Sequence, residues 1–286
     1  MTTTSFFQVM VSGLTTGLIY ALTASGFSLI YGQANILFFT LGEIYMLGAI
    51  SVYFFIVITK APYFLALGSV VLGLGFFGII IERFLFRPLK GNVLTFVFLS
   101  IALGMLIAGV SLEIFGQTTR SISTPFPGSI SVLGVIIARD KLAIVIISLV
   151  IILALHFFFK RTKAGRAIRA VSQDIDAAKL VGIDVNRTNA LTFFFALATA
   201  GSAGMLVAPL YYVDVFMGAP ILTTTLIVVV LGGLGSFPGA IAGGLFIGLL
   251  ESFGYASFGG ITSLLSFIVV IIVLMFRPQG LYGSYE

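Results

Sequence analysis

The sequence predicts an all-α protein, a polytopic transmembrane bundle of about eight to nine spans that includes Gly/Pro-broken helices. Three observations lead there. Of 286 residues, 59% are hydrophobic and only 9% are charged, against about 25% charged in a soluble domain. Runs of about 20 apolar residues, the length that crosses the hydrocarbon layer, recur from end to end. The runs are continuous and do not alternate in polarity, which argues against a transmembrane β-barrel. A single water-exposed fold has no core large enough to hide so much apolar surface. The whole chain, 1–286, therefore reads as one transmembrane domain with no room for a soluble one.

Composition also narrows the chemistry. The chain has no Cys, which excludes disulfides and thiolate metal sites. Its single histidine, His156, lies in the apolar run ALHFFF. A metal site built on His pairs is thus impossible, and His156 reads as a structural group bonded to a neighbouring helix. No metal and no cofactor are expected. The net charge of +5 is not a nucleic-acid signal, because the cations fall in loops, where they set orientation. The opening MTTTS has no basic stretch and no cleavage site follows the first apolar run, so that run reads as a retained span.

Crossings are predicted at 6–31, 36–58, 63–86, 93–115, 141–159, 189–213, 221–234, 238–254 and 261–276. Nine crossings sort the loops onto two sides. One side carries Arg83, Arg87, Lys90, seven cations of the loop Lys160–Thr188 and Arg277, eleven in all; the other carries Lys60, Arg120, Arg139 and Lys141. The excess of Lys and Arg marks the cytoplasmic face. The central loop and the C-terminus are expected there, and the N-terminus outside, in a bacterial inner or plasma membrane.

The segment 221–254 admits two readings. GGLGSFPG (Gly232 to Gly239) either joins two spans as a tight hairpin or breaks one helix along a cavity. YGQANI (Tyr31 to Ile36) joins the first two runs in a comparable way, which hints at a parallel internal repeat. The outer loop 116–140 reads either as a docking surface for an external partner or as a plain connector.

The longest polar interval is 160–188, KRTKAGRAIRAVSQDIDAAKLVGIDVNRT. Within it Ala164, Ala167, Ile168, Val171, Ile175 and Ala178 fall at spacings of three and four, one helical stripe. Arg166, Arg169 and Lys179 lie off it. Ser172 or Asp174 caps a second short helix that ends at Gly182. Such a segment either lies on anionic lipid or presents a partner surface.

Several polar groups suit a translocation path. Glu43 falls about seven residues into its predicted span, roughly 10 Å deep, where a carboxylate faces the bundle interior or water. It is either a path-lining group or a hydrogen-bonded clamp. Glu251 and Glu113 lie nearer the outer ends of their spans, where snorkelling or capping suffices. Glu82–Arg83 and Asp214 read as solvated interface groups. Thr15, Thr16, Thr23, Ser25, Ser28, Gln33 and Asn35 line one stretch of the first span; Thr223, Thr224 and Thr225 with the backbone at Gly232, Gly235, Pro238 and Gly239 offer a second. Ordinary packing explains each Ser and Thr equally well.

Asp176-Ala177-Ala178-Lys179-Leu180-Val181-Gly182 resembles the EAA-x3-G loop of ABC importer permeases, with Asp for Glu and without the hydrophobic-Pro ending. The resemblance widens to Gly17–Ala49, Arg166–Asp184, Gly232–Gly244 and Phe276–Gly283. These stretches fall in the order seen in Liv-type branched-chain amino acid permeases and cover nearly the whole chain. The resemblance implies a heteromeric importer with two permease subunits, ATPase subunits and an extracytoplasmic substrate-binding protein. It implies that residues 160–188 are the coupling loop, a short helix seated in the ATPase. A branched-chain amino acid is a net-neutral zwitterion, so a path needs polar groups but no counter-charge. Urea and short-amide importers use similar permeases, often with an additional N-terminal region, so amino acids are the first expectation and urea the alternative. No G-x4-G-K-[ST] is present, so ATP phosphates are held elsewhere if ATP drives transport. An ion-coupled transporter is the competing class. An intramembrane enzyme finds no HExxH, G-x-S-x-G or aspartate pair.

Overall fold

A computed structural model describes residues 3–89, 92–122, 125–132 and 135–282. Eleven α-helices carry the chain: α1 Thr3–Ala34, α2 Leu41–Val52, α3 Tyr63–Ile81, α4 Val93–Phe115, α5 Arg139–Arg161, α6 Lys163–Gln173, α7 Ile175–Leu180, α8 Val185–Val207, α9 Gly218–Gly232, α10 Phe237–Phe258 and α11 Thr262–Phe276. π-helical stretches extend α2 over Tyr53–Ile58 and α3 over Glu82–Phe86. Seven helices among the described residues are long and apolar enough to cross a membrane; Gly218–Gly232 and Leu264–Phe276 are shorter apolar helices. All nine expected crossings are helical, but two are short. Lys90, Ser123, Thr124, Leu133, Gly134 and Gly283, all within segments used above, lie outside the described residues.

α8 is the axis of the bundle. Its run ALATAGSAGM has no bulky side chain between Leu197 and Met205, and Ala196, Ala200, Gly201, Ser202, Ala203 and Gly204 are buried. Without a hydrophobic drive between helices in lipid, close backbone approach supplies the packing. A Cβ on Gly204 would strike the carbonyl oxygen of Tyr45 in α2, and one on Gly48 would strike that of Gly201. α1 meets α8 at Gly26 and runs antiparallel to α10, with Gly13 and Gly17 against Leu249 and Leu245. Large apolar side chains of α3, α4, α5 and α11, such as Phe76, Met105, Ile146 and Ile271, point outward, as a lipid-facing shell requires.

Several expectations are corrected. The second span does not start at 36: residues 35–40 are non-helical and α2 begins at Leu41. α8 runs 185–207, not 189–213, because Asp184 caps it early and the chain turns at Ala208. Residues 218–258 form two helices joined by a tight turn. Gly233 and Gly235 take positive φ there (105° and 78°), and the Ser236 hydroxyl accepts from Gly239 N. The C-terminal tail completes this turn: Leu281 N donates to Leu231 O and Tyr282 N to Gly232 O, each at 2.9 Å. These bonds satisfy the terminal carbonyls that a helix end leaves unpaired.

The outer loop is more than a connector. It holds an antiparallel hairpin, β1 Ser129–Val132 with β2 Val135–Ala138. Arg120 pairs with Val213 through two backbone bonds, and its guanidinium lies 4.5 Å from the Tyr53 ring centroid. Glu82 is not solvated. It is 2% exposed and held in a fork by Arg87, Nη2–Oε2 2.8 Å and Nε–Oε1 3.2 Å. His156 is exposed, since the buried stripe of α5 runs through Ile152, Leu155 and Phe159 and leaves position 156 off it.

Candidate functional site

The polar interval folds as two capped helices at one end of the bundle. Thr162 opens α6 by accepting from Gly165 N (2.9 Å). Asp174 opens α7 by accepting from Asp176 N (2.8 Å) and Ala177 N (2.9 Å). α7 closes with Gly182 at φ 81°. Gly182 N donates to Lys179 O and Ile183 N to Ala178 O, both at 3.0 Å, the pairing that ends a helix through a left-handed residue. Ile168, Val171 and Ala178 of the predicted stripe are buried, whereas Ile175 is exposed because the chain breaks at Asp174. Arg166, Arg169, Asp176 and Ala177 are exposed. Asp176 bonds Lys179 at 2.8 Å, and this hydrogen bond, with the attraction of the ammonium, holds its carboxyl below the usual range. Leu180 and Val181 are 89% and 77% exposed.

The path candidates divide into groups. Gln33, Asn35 and Gly235 line one cavity with Val171, Ser172, Gln173 and Ile175, so the turn after α1, the α9–α10 turn and the polar helices converge. Gln33 is buried, and its amide oxygen and nitrogen find no hydrogen-bond partner among the described residues. It also lines a second cavity of about 790 Å³ with Glu82, Arg87, Lys179 and Thr192. Asn35 takes φ 53° and turns the chain off α1. Pro238 starts α10 beside Arg169 and Ser172. Gly232 and Gly239 face each other where α9 crosses α10, leaving no space for a Cβ. Thr223 is exposed and bonds Ala219 O, apart from the others.

Glu43 stands alone in the interior. It lies in the first turn of α2, behind Thr40, whose hydroxyl donates to Ser100 O (2.6 Å). Its carboxylate faces Gly218, the first residue of α9, where a Cβ would lie 2.8 Å from Oε2. Gly104 of α4 packs against its Cγ. Gly104 is eleven residues into α4, about 16 Å of rise, close to the middle of a hydrocarbon layer of about 30 Å. The carboxylate lies beside the first turns of both α2 and α9. Its Oε2 is buried without a hydrogen-bond partner among the described residues.

Residues 9–274 match the family described as branched-chain amino acid transport system / permease component. The chain belongs to this family. The permease is 33% identical over 298 residues to the high-affinity branched-chain amino acid transport system permease protein BraD of Pseudomonas aeruginosa, covering 98% of this chain and 97% of the relative. It is 32% identical over 303 residues to the permease protein LivH of Escherichia coli K12, covering 98% and 96%. No solved structure matches it.

Sequence reasoning missed a further polar cluster of the permease, at the end opposite α6 and α7. Glu251 neither snorkels nor caps: its Oε2 accepts from Tyr20 Oη (2.8 Å) and its Oε1 from Ser266 Oγ (3.5 Å). Lys141 Nζ donates to Ser12 Oγ (2.8 Å). Glu251, Tyr20, Lys141 and Ser12 line a cavity of about 1000 Å³ with Thr16, Tyr211 and Ser252. Glu251 lies 231 residues from Tyr20, beyond any local pattern. The only signal was an ionisable residue inside an apolar run.

Proposed function

We propose that this permease carries branched-chain amino acids into the cytoplasm as the membrane subunit of an ATP-driven importer. ATPase subunits bind α6 and α7, a second permease subunit completes the path, and an extracytoplasmic binding protein delivers substrate at the opposite end. The single observation that carries this reading is α7: a short helix, capped at both ends, that presents Leu180 and Val181 to solvent beside buried Ala178. Exposed apolar side chains on an otherwise charged segment suit a partner's cleft. The family and the names of its relatives favour amino acids over the urea alternative. The cation excess supports a cytoplasmic location for α6, α7 and the C-terminus, and the missing phosphate-binding loop supports an engine on another chain.

Uptake by reconstituted vesicles, with the binding protein outside and ATP inside, tests the reading. Leucine uptake is expected to need ATP and co-expressed ATPase chains. Uptake driven by a sodium or proton gradient alone favours the ion-coupled class and overturns it. Gly182→Val is expected to uncouple the machine. Nothing lies within 4 Å of a Cβ at this position, so the obstacle is the backbone at φ 81°. A β-branched residue there costs about 1–3 kcal/mol and unwinds the end of α7. Uptake and ATPase stimulation fall together, with the permease still inserted. Normal coupling in this variant removes the loop from the mechanism.

Glu43 is the proposed midplane group of the path. Glu43→Gln keeps the shape and removes the acidic group. Uptake is expected to fall roughly tenfold, equivalent to about 1.4 kcal/mol in the barrier, with unchanged insertion. Unaltered uptake assigns Glu43 to helix clamping.

A further inference from the structure

The cavity at the end away from α6 and α7 carries two opposite charges that do not meet. Lys141 comes from the start of α5 and Glu251 from α10, and both line the same space of about 1000 Å³. That volume lies at the top of the range of ligand pockets, roughly 300–1,000 Å³. Among the described residues neither group forms an ion pair. Lys141 rests on the Ser12 hydroxyl and Glu251 on the Tyr20 hydroxyl. Charges inside apolar spans are expensive and normally pair with each other. Here the scaffold holds them apart.

The spacing follows from α1. Ser12 and Tyr20 stand eight residues apart on that helix, about 12 Å of rise. A helical tyrosine leans towards the N-terminus, which narrows the gap. Thr16 lies between them and lines the same cavity. An α-amino acid offers an ammonium and a carboxylate on neighbouring atoms. With a charge-assisted hydrogen bond of about 2.8 Å available at each end, its two charges complement the two anchors.

We propose that this cavity is a binding site for the zwitterionic head group of an α-amino acid. Lys141 receives the carboxylate, and Glu251, oriented by Tyr20, receives the ammonium. The two anchors sum to zero charge, as the ligand does, so binding leaves the cavity neutral. The hydroxyls of Ser12, Thr16 and Ser252 replace part of the ligand's hydration. The apolar side chain remains unread, which suits a path serving several amino acids whose choice is made elsewhere. This inference rests on the amino-acid importer reading above. A lipid head group with an ammonium and a phosphate shares part of this chemistry, and the test separates the two sources.

The chain contains no Cys, so Thr16→Cys places a unique thiol in the cavity. The complete importer carrying this variant is reconstituted in phosphatidylcholine vesicles and labelled with a membrane-impermeant thiol reagent. Free leucine is expected to slow labelling at least fivefold. 4-Methylpentanoate, which lacks the ammonium, and 3-methylbutylamine, which lacks the carboxylate, leave the rate unchanged. Adding Lys141→Gln or Glu251→Gln abolishes protection by leucine. Equal labelling with and without leucine overturns the proposal, as does protection by phosphatidylethanolamine vesicles with no effect of leucine. Should either charge variant fail to assemble, the three ligands on Thr16→Cys alone decide. Leucine uptake by the parent importer, with Thr16 intact, in vesicles of the same lipid separates the two claims. No uptake at all refutes the importer reading, whereas uptake without protection refutes only the site.

Discussion

Gly204→Ala is expected to unseat α2 from α8 and to leave little folded permease. The added Cβ would overlap the carbonyl oxygen of Tyr45 and sit 3.1 Å from the nitrogen of Ala49. Both obstacles are backbone, so no rotamer change relieves them. The same crossing holds Gly48 against Gly201, and separating the helices there loses both contacts. Overpacking a tight core costs about 1–3 kcal/mol, and the upper end applies where two helix backbones must part. Gly73→Ala provides the control, since nothing lies within 4 Å of a Cβ there. Thermal melting in detergent, followed by size-exclusion chromatography, compares the two. Equal melting temperatures would show that the crossing tolerates a methyl group.

Arg87→Ala is expected to have an effect of similar size by another route. It strips the fork from Glu82, which is 2% exposed. Removing one partner of a buried ion pair costs about 3–5 kcal/mol, because the remaining charge has no counterpart. Arg87 itself is 32% exposed, so water softens the loss towards the lower figure. Arg87→Lys keeps the charge but cannot form the two-pronged bond, and falls between. Adding Glu82→Leu to Arg87→Ala is expected to restore much of the stability. Arg87 also donates to Asn186 O (3.3 Å) at the start of α8. Its loss therefore loosens the exit of the α6–α7 segment as well. Melting of the three variants gives the order; no difference between Arg87→Ala and the parent would dismiss the fork as a stabilising element.

What the sequence made legible was local. The cap at Asp174 and the glycine at 182 act within a few residues, so the second short helix was readable, whereas the caps at Thr162 and Asp184 went unread and α8 was expected to start at 189. The nine apolar helices were readable because lipid leaves few alternatives to a helix. The fork between Glu82 and Arg87 was not. Residues five apart do not share a face of an α-helix, but the π-helical stretch Glu82–Phe86 adds a residue to the turn and brings them together. The non-helical lead-in before α2 was hidden because ILFF continues the apolar run without a break. The strand pair β1–β2 went unread inside a loop taken either as a docking surface or as a plain connector. Tyr20–Glu251 and Ser12–Lys141 depend on how α1, α5 and α10 pack, which no spacing in the chain reports.

The backbone bonds from Leu281 and Tyr282 to Leu231 and Gly232 also set an order of events during synthesis. The ribosome makes Leu231 fifty residues before the amide that completes it. While α10 and α11 are being inserted, the end of α9 must rely on water for its carbonyls. Only when residues 281 and 282 have left the ribosome can that hairpin be locked. A reporter or purification handle fused at the C-terminus therefore needs a spacer beyond residue 282, or it will compete with the final step of biogenesis.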